Sequence, residues 1–519
     1  MNNTSEIYGY AGLNPCDDYI LNNPALTAIR PHCAANDDFV VVCKEFITTC
    51  HNTHKSTIIM DMLSNAIPTT KNDDLLKLFD DDSVADTTLA YKMQSHGAIY
   101  CRMGAKPLVI GIGGQGNYLA NQVKALQAVA DKYIALCHGE KAKITKDKIT
   151  IYNKKGIKIK KSPVPIDKDK HFDYDYSPAD EIYCCQNGVS TAISALCNGG
   201  KIHLDQLKIN GRVADKFNHI ILMGEGTSYN ACLGAKYVFE LMCNIPTTAI
   251  SSTEFIHSAK IVGKNTLVIA LSQTGETTPT VWGADYAIKN GAKTVALTAD
   301  SDSHLARICP YVINTDCQLT SQKVSLRSFI NSYLCLCLVA LYIGNKRSIV
   351  SQLYLSVTIK MAQLLTGKII ESTKPSRELD MLTYMIKNAE NLIITGCSID
   401  YCVAREVSAK MWDIAQINAK AVQTDTLPHT NTSNHTIVAI ISSKDYLSHT
   451  AQILKNAQNQ GAKVIVVTTS GIESDLVAFD NIVSFSDSIP IFNILPIVTG
   501  IYKSTVTACD DAKSFCQTY

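Results

Sequence analysis

The stretch HIILMGEGTSYNACLGAKYVFELMC (residues 219–243), continued by LVIALSQTGETTPTVWGADYAIKNGAKTVALT (residues 267–298), decides the fold. Two apolar runs, His219–Gly224 and Thr266–Leu271, are rich in Ile, Leu and Val and far shorter than a membrane span, so each reads as a buried strand. Each ends in small polar residues and then turns helical. The first turn is Gly224-Glu225-Gly226-Thr227-Ser228; the second is Ser272-Gln273-Thr274-Gly275-Glu276-Thr277. Free backbone N–H groups, hydroxyls and the helix dipole at such a turn favour an anion. Two of them on neighbouring parallel strands would converge on one phosphate. Taken singly, either is equally an ordinary turn with a helix cap. Neither loop carries a Walker lysine or a GxGxxG pattern, which sets a nucleotide aside as the anion.

Working outward, the strand–turn–helix pattern recurs. NGAKTVALT at Asn290–Thr298 returns as QGAKVIVVT at Gln460–Thr468. Gly224 and Gly396 are 172 residues apart, and Ser272 and Ser442 are 170 apart. Agreement of these offsets argues for a duplicated domain. The second copy has SSKDYL in place of SQTGET, so its phosphate cradle reads as lost.

GTSYN followed about 45 residues later by LSQTGET resembles the glutamine–fructose-6-phosphate aminotransferase (glucosamine-6-phosphate synthase) family. The similarity is to its isomerase region of two sugar isomerase (SIS) domains, whose motifs are CGTSY and LSQSGET. The resemblance implies an α/β fold of two tandem doubly wound, flavodoxin-like parallel sheets, preceded by a shortened Ntn-hydrolase-like α+β domain. The implied boundaries are 1–160 for a degenerate glutaminase-like domain, 161–205 for a linker rich in Pro, Asp and Lys, 206–370 for the first SIS domain and 371–519 for the second with its tail. It implies that Gly226, Thr227, Ser228, Ser272, Gln273, Thr274 and Thr277 hold a hexose phosphate. Ser325 falls on a substrate-contacting serine and Arg327 on the family's lysine; an ordinary helix start fits that segment equally.

Composition bounds the class. The chain has 519 residues, net charge +1 from 48 basic and 47 acidic residues, and 19 cysteines. Balanced charge gives no footprint for nucleic acid or an acidic membrane. The N-terminus has no apolar core, and the most apolar helical run, Tyr333–Ile343, is too short to span a bilayer. The cysteines show neither CxxC nor zinc spacing. A reduced, cytoplasmic protein without metal or cofactor is expected.

Strand-like runs in the first unit are Phe39–Val42, Ala98–Arg102, Pro107–Ile112, Lys132–Leu136 and Lys148–Tyr152. AKPLVIGIGGQGNYLANQVKAL and RPHCAANDDFVVVCKEFITT are similar to parts of the family's glutaminase domain, but the catalytic positions fail. That chemistry needs a thiol and a free amine on one terminal cysteine. Here Asn2 follows Met1, the first cysteine is Cys16, and Lys44-Glu45 stands where the family has its Asn-Gly oxyanion donors. Loss of glutamine hydrolysis is the expectation.

Ketose–aldose interconversion needs ring opening, activation of the carbonyl or imine, and a base that moves a proton between C1 and C2. REVSAKMWDIAQINAKAVQTDTLPHTN at Arg405–Asn431 resembles the family's catalytic helix and loop. Glu406, Lys410 and Asp413 lie at i, i+4 and i+7, on one helix face. Asp413 falls on the proton-transferring Glu, one methylene shorter, and misplacement by about 1 Å can cost about 100-fold in rate. His429 falls on the ring-opening His, and Lys513, in DDAKSFCQTY, on the imine-forming Lys. A solvated or salt-bridged Glu/Lys/Asp surface is the competing reading.

The resemblance therefore points to a protein that isomerises fructose 6-phosphate, or interconverts it with glucosamine 6-phosphate using ammonia, within amino sugar metabolism and UDP-N-acetylglucosamine biosynthesis. Its partner is a small sugar phosphate, and it is a homodimer or pairs with a homologue. The alternative is a catalytically impaired phosphosugar-binding regulator or partner of an active glucosamine-6-phosphate synthase. A sugar-phosphate deaminase is a third reading.

Overall fold

The computed structural model describes residues 7–12, 39–43, 46–50, 76, 89–92, 98–103, 108–120, 123–137, 139–166, 178–258, 262–315, 325–429 and 431–509. Cys16, Lys44, Glu45 and Lys513 lie outside them. The chain divides into two compact units, one up to residue 171 and one from residue 172.

The first unit holds two antiparallel sheets of five and seven strands. All five strand-like runs of this unit form strands. Ile110, Leu119 and Ile134 of one sheet share a core with Ile99, Cys101 and Ile144 of the other. GIGGQG at 111–116 has GxGxxG spacing, yet it forms the hairpin between two antiparallel strands, Val109–Gly113 and Gly116–Ala120. A dinucleotide fingerprint needs a strand-to-helix turn, so this spacing is not that fingerprint.

The second unit contains the duplication. In the first copy, strands β1 (His219–Gly224), β2 (Thr247–Ser251), β3 (Thr266–Leu271), β4 (Lys293–Thr298) and β5 (Tyr311–Asn314) form a parallel sheet in the order β2-β1-β3-β4-β5. Helices α1 (Pro178–Leu196), α2 (Thr227–Cys243), α3 (Thr278–Lys289) and α4 (Arg327–Lys346) flank it. The second copy has β6 (Leu392–Gly396), α5 (Ile399–Ala415), β7 (Ala419–Gln423), β8 (Thr436–Ile441), α6 (Leu447–Asn459), β9 (Lys463–Thr469), β10 (Ile482–Phe485) and α7 (Ile494–Ala508). Its sheet order, β7-β6-β8-β9-β10, is the same. This is the flavodoxin-like order, whose ligand crevice opens where the strand order reverses, beside β1 and β3. Both predicted phosphate loops sit there.

Every residue of β3 is buried, as is all of β1 after His219. Both faces of each sheet are covered, which is why the strands read as unbroken apolar runs rather than alternating ones. Ile220 and Leu222 face a core shared with the second copy's Ile394, Val438 and Ile465. Ile221 and Met223 face the opposite way, toward Val281 and Ala284 of α3. One hydrophobic core thus joins the two copies through α1, α2, α4, α5 and α7.

Two sequence readings change here. The apolar run Tyr333–Ile343, read as too short to span a bilayer, is part of a 20-residue helix, Arg327–Lys346, that is long and apolar enough for a span, but 94% of its apolar window is buried inside the protein. Its extra turns carry Ser328, Asn331 and Ser332, polar residues that are nonetheless buried. And the stretch 161–205, read as a linker, contains α1, whose Ile182, Cys185, Val189 and Ile193 belong to the shared core.

The copies agree down to backbone angles. Gly226, before α2, has φ 54° and ψ −124°; Ser398, 172 residues on and before α5, has φ 52° and ψ −119°. That region suits glycine, and a side chain there costs of order 1–3 kcal/mol. Ser398→Gly should therefore raise stability by about 1 kcal/mol, read as a higher urea midpoint.

Candidate active site

Both loops are built from the inside. In the first, the Glu225 carboxylate accepts from the backbone N–H of Thr253 at 2.7 Å and from the hydroxyls of Thr253 and Ser251 at 2.9 and 3.2 Å. This fastens the loop to the end of β2. In the second, the hydroxyls of Ser272 and Thr277 are 2.9 Å apart, Gly275 N–H donates to Ser272 Oγ at 3.1 Å, and Glu276 N–H donates to Thr274 Oγ1 at 3.2 Å. The loop is braced by the segment after β4. Leu305 N–H donates to the Gly275 carbonyl at 2.9 Å, and His304 N–H to Glu276 Oε1 at 2.9 Å. Burial pushes the Glu276 carboxyl up to about 7, against the pull of Arg307 and the His304 N–H.

Gln273 Nε2 donates to Ser325 Oγ at 3.2 Å, which brings the predicted serine to the second loop. Arg327 does not stand free as a substrate cation. Its guanidinium lies 3.2 Å from Glu181 of α1, and both side chains are buried. Glu181 also receives the Leu326 N–H at 3.2 Å, so it caps the first turn of α4, where the helix dipole favours a carboxylate. Burial raises the Glu181 carboxyl, and Arg327 opposes that. Sequence reading missed this role. The acidic start of α1 was visible, but its partner lies about 145 residues away.

The second copy carries the other candidate residues. Glu406, Lys410 and Asp413 do share a face of α5, and it is not a solvated one. Glu406 is fully buried, Lys410 nearly so, and Asp413 half-exposed. Lys410 Nζ lies 3.5 Å from Asp413 Oδ2 and 4.0 Å from Glu406 Oε1. Glu406 accepts from Thr227 Oγ1 at 3.1 Å, Asn230 Nδ2 at 2.9 Å and the Tyr502 hydroxyl at 3.1 Å. Arg405 Nε holds the other end of Asn230 at 3.1 Å. Burial, then the Glu406 charge, pushes the Tyr502 phenol well up, so it stays a donor. Asn230 and Tyr502 were not singled out in the sequence; Asn230 lies only three residues past Thr227, on the same helix.

His429 is exposed at the end of the 3-10 segment Thr424–His429, and no hydrogen bond joins it to Lys410 or Asp413. Among the described residues no cluster of His, Cys, Asp and Glu could hold a metal, and the cysteines there are free.

The SIS domain family model matches residues 215–342 and 385–494, the two copies of the sheet. The chain carries two tandem SIS domains. Glutamine–fructose-6-phosphate aminotransferase of Clostridium tetani is 26% identical over 78% of this chain and 69% of its own length. The enzyme of the same name from Buchnera aphidicola is 29% identical over 62% of this chain and 54% of its own length. The solved C-terminal domain of glucosamine–fructose-6-phosphate aminotransferase from Francisella tularensis superposes with a TM-score of 0.59 at 23% identity, covering 64% of this chain and 95% of that one. The two SIS domains are thus related to the isomerase region of that enzyme.

Proposed function

We propose that the two SIS domains bind a hexose phosphate, fructose 6-phosphate or glucosamine 6-phosphate, and interconvert its ketose and aldose or amino-sugar forms without hydrolysing glutamine. The observation that carries this is the hydrogen bond from Thr227 Oγ1 to Glu406 Oε1, 3.1 Å. It joins a phosphate loop of the first SIS domain to the helix of the second that carries Lys410 and Asp413. In this reading the phosphate rests on Gly226, Thr227, Ser228, Ser272, Gln273, Thr274 and Thr277, and the carbon chain runs toward that helix. Asp413, half-exposed and charge-paired to Lys410, is the candidate base. Lys410, 3.5 Å from it, offers a proton donor. His429 and Lys513 are assigned to ring opening and imine formation by resemblance alone. The sugar phosphate is the partner, ammonia is the nitrogen source, and the protein acts as a homodimer or beside a homologue.

A phosphosugar-binding regulator is the second reading. It is favoured by the exposed, unattached His429 and by the methylene missing from Asp413. The separating test incubates the protein with fructose 6-phosphate plus ammonium or plus glutamine and assays glucosamine 6-phosphate and glucose 6-phosphate. Turnover is expected with ammonium and not with glutamine, and Lys410→Ala should cut it by about 100-fold or more. Glutamine-driven product would overturn the loss of glutaminase. Saturable binding with no turnover would select the regulator.

A further inference from the structure

The second SIS domain repeats the frame of the first but inverts its polarity at one position. Asp400 stands 172 residues after Ser228, and each is the second residue of its helix. Gly224 and Gly396 face these residues at equal closeness. A Cβ on Gly224 would lie 2.8 Å from Ser228 Cβ, and one on Gly396 2.7 Å from Asp400 Cβ. The two side chains therefore leave the helix at the same place.

In the first domain that side chain is a hydroxyl. In the second it is a carboxylate, 7% exposed, whose Oδ2 accepts the backbone N–H of Ser442 at 3.1 Å. The equivalent N–H in the first domain, of Ser272, donates instead to the Leu297 carbonyl at 3.1 Å. Asp400 thus reaches from the first strand-end loop to the start of the second, over the N-terminus of a 17-residue helix whose dipole favours negative charge. Its Oδ1 is buried and makes no hydrogen bond, and no cation pairs with it among the described residues. Facing it are the Tyr333 phenol of α4, Cys402 and the Ser442 hydroxyl, none of them a positive charge.

We infer that Asp400 is an internal stand-in for a ligand's phosphate, which closes the second SIS domain to sugar phosphates and leaves the chain one phosphate site. The carboxylate sits in the helix dipole that an anion would use, and in its ionised form it repels an anion that approaches; burial pushes this carboxyl up to about 7, so the repulsion is strongest above that pH. Replacement of SQTGET by SSKDYL weakens the cradle, but Asp400 fills it. The reading of the first domain's loops as a phosphate site underlies this inference.

The test is equilibrium dialysis of the full chain against millimolar inorganic phosphate, comparing wild type with Asp400→Ser, which installs the first domain's residue. Uptake should rise from about one to about two phosphates per chain. Asp400→Asn, which keeps the shape and removes the charge, is measured alongside and should also exceed wild type should the serine variant fail to fold. Uptake equal to wild type in the folded variants overturns the inference. Failure of the first-domain reading appears separately, as no uptake by the wild type.

Discussion

Glu406→Ala is expected to destabilise the second unit by about 3–5 kcal/mol and to abolish saturable binding of hexose phosphate together with it. The side chain is fully buried and serves three hydrogen-bond donors at 2.9–3.1 Å. Its removal takes the acceptor away from the hydroxyls of Thr227 and Tyr502 and the amide of Asn230, of which Tyr502 and Asn230 are buried. Each buried unsatisfied donor costs about 1–3 kcal/mol. It also leaves the buried Lys410 ammonium with Asp413 as its remaining carboxylate. Urea unfolding followed by circular dichroism measures the loss. Glu406→Gln keeps the shape and one acceptor, so about half the loss is expected. A stability loss in Glu406→Ala below about 1 kcal/mol would show that the hub is dispensable.

Gly275→Ala should destabilise by about 2–5 kcal/mol, from left-handed strain plus overpacking. Gly275 has φ +66°, and a Cβ there would lie 2.3 Å from Ser303 Cβ and 2.0 Å from its Oγ. Ser303 cannot retreat, because its hydroxyl is held at 2.6 Å by the Asp300 carbonyl and it caps the next helix. The loop must then move, taking with it the Ser272 and Thr277 hydroxyls that the glycine N–H helps to place. Fructose 6-phosphate affinity should fall at least 10-fold, read by titration calorimetry. Gly263→Ala, where a Cβ meets nothing within 4 Å, is the control expected to change little.

Much of this site is local, and what is local was legible in the sequence. The two candidate phosphate loops are strand-to-helix turns, so residue types over a few positions define them. The face of α5 follows from helical spacing, and the repeat offset located both copies of the sheet. What the sequence hid depends on contacts across the chain. Glu181 meets Arg327 from a helix that lies in the apparent linker. Glu406 looked like one member of a charged face; its burial comes from α2 and α7 closing over it. Asp400 is not marked by its sequence neighbours; its contact is the Ser442 N–H, 42 residues on.

The most direct test of a phosphosugar site at the first SIS domain is calorimetric titration with fructose 6-phosphate and, separately, with fructose. Saturable binding of the phosphorylated sugar alone is predicted, weakened about 100-fold or more in a Ser272→Ala/Thr277→Ala double variant, as two hydrogen bonds to a charged group are removed. Equal affinity for both sugars, or a folded double variant that binds as the wild type does, would contradict it.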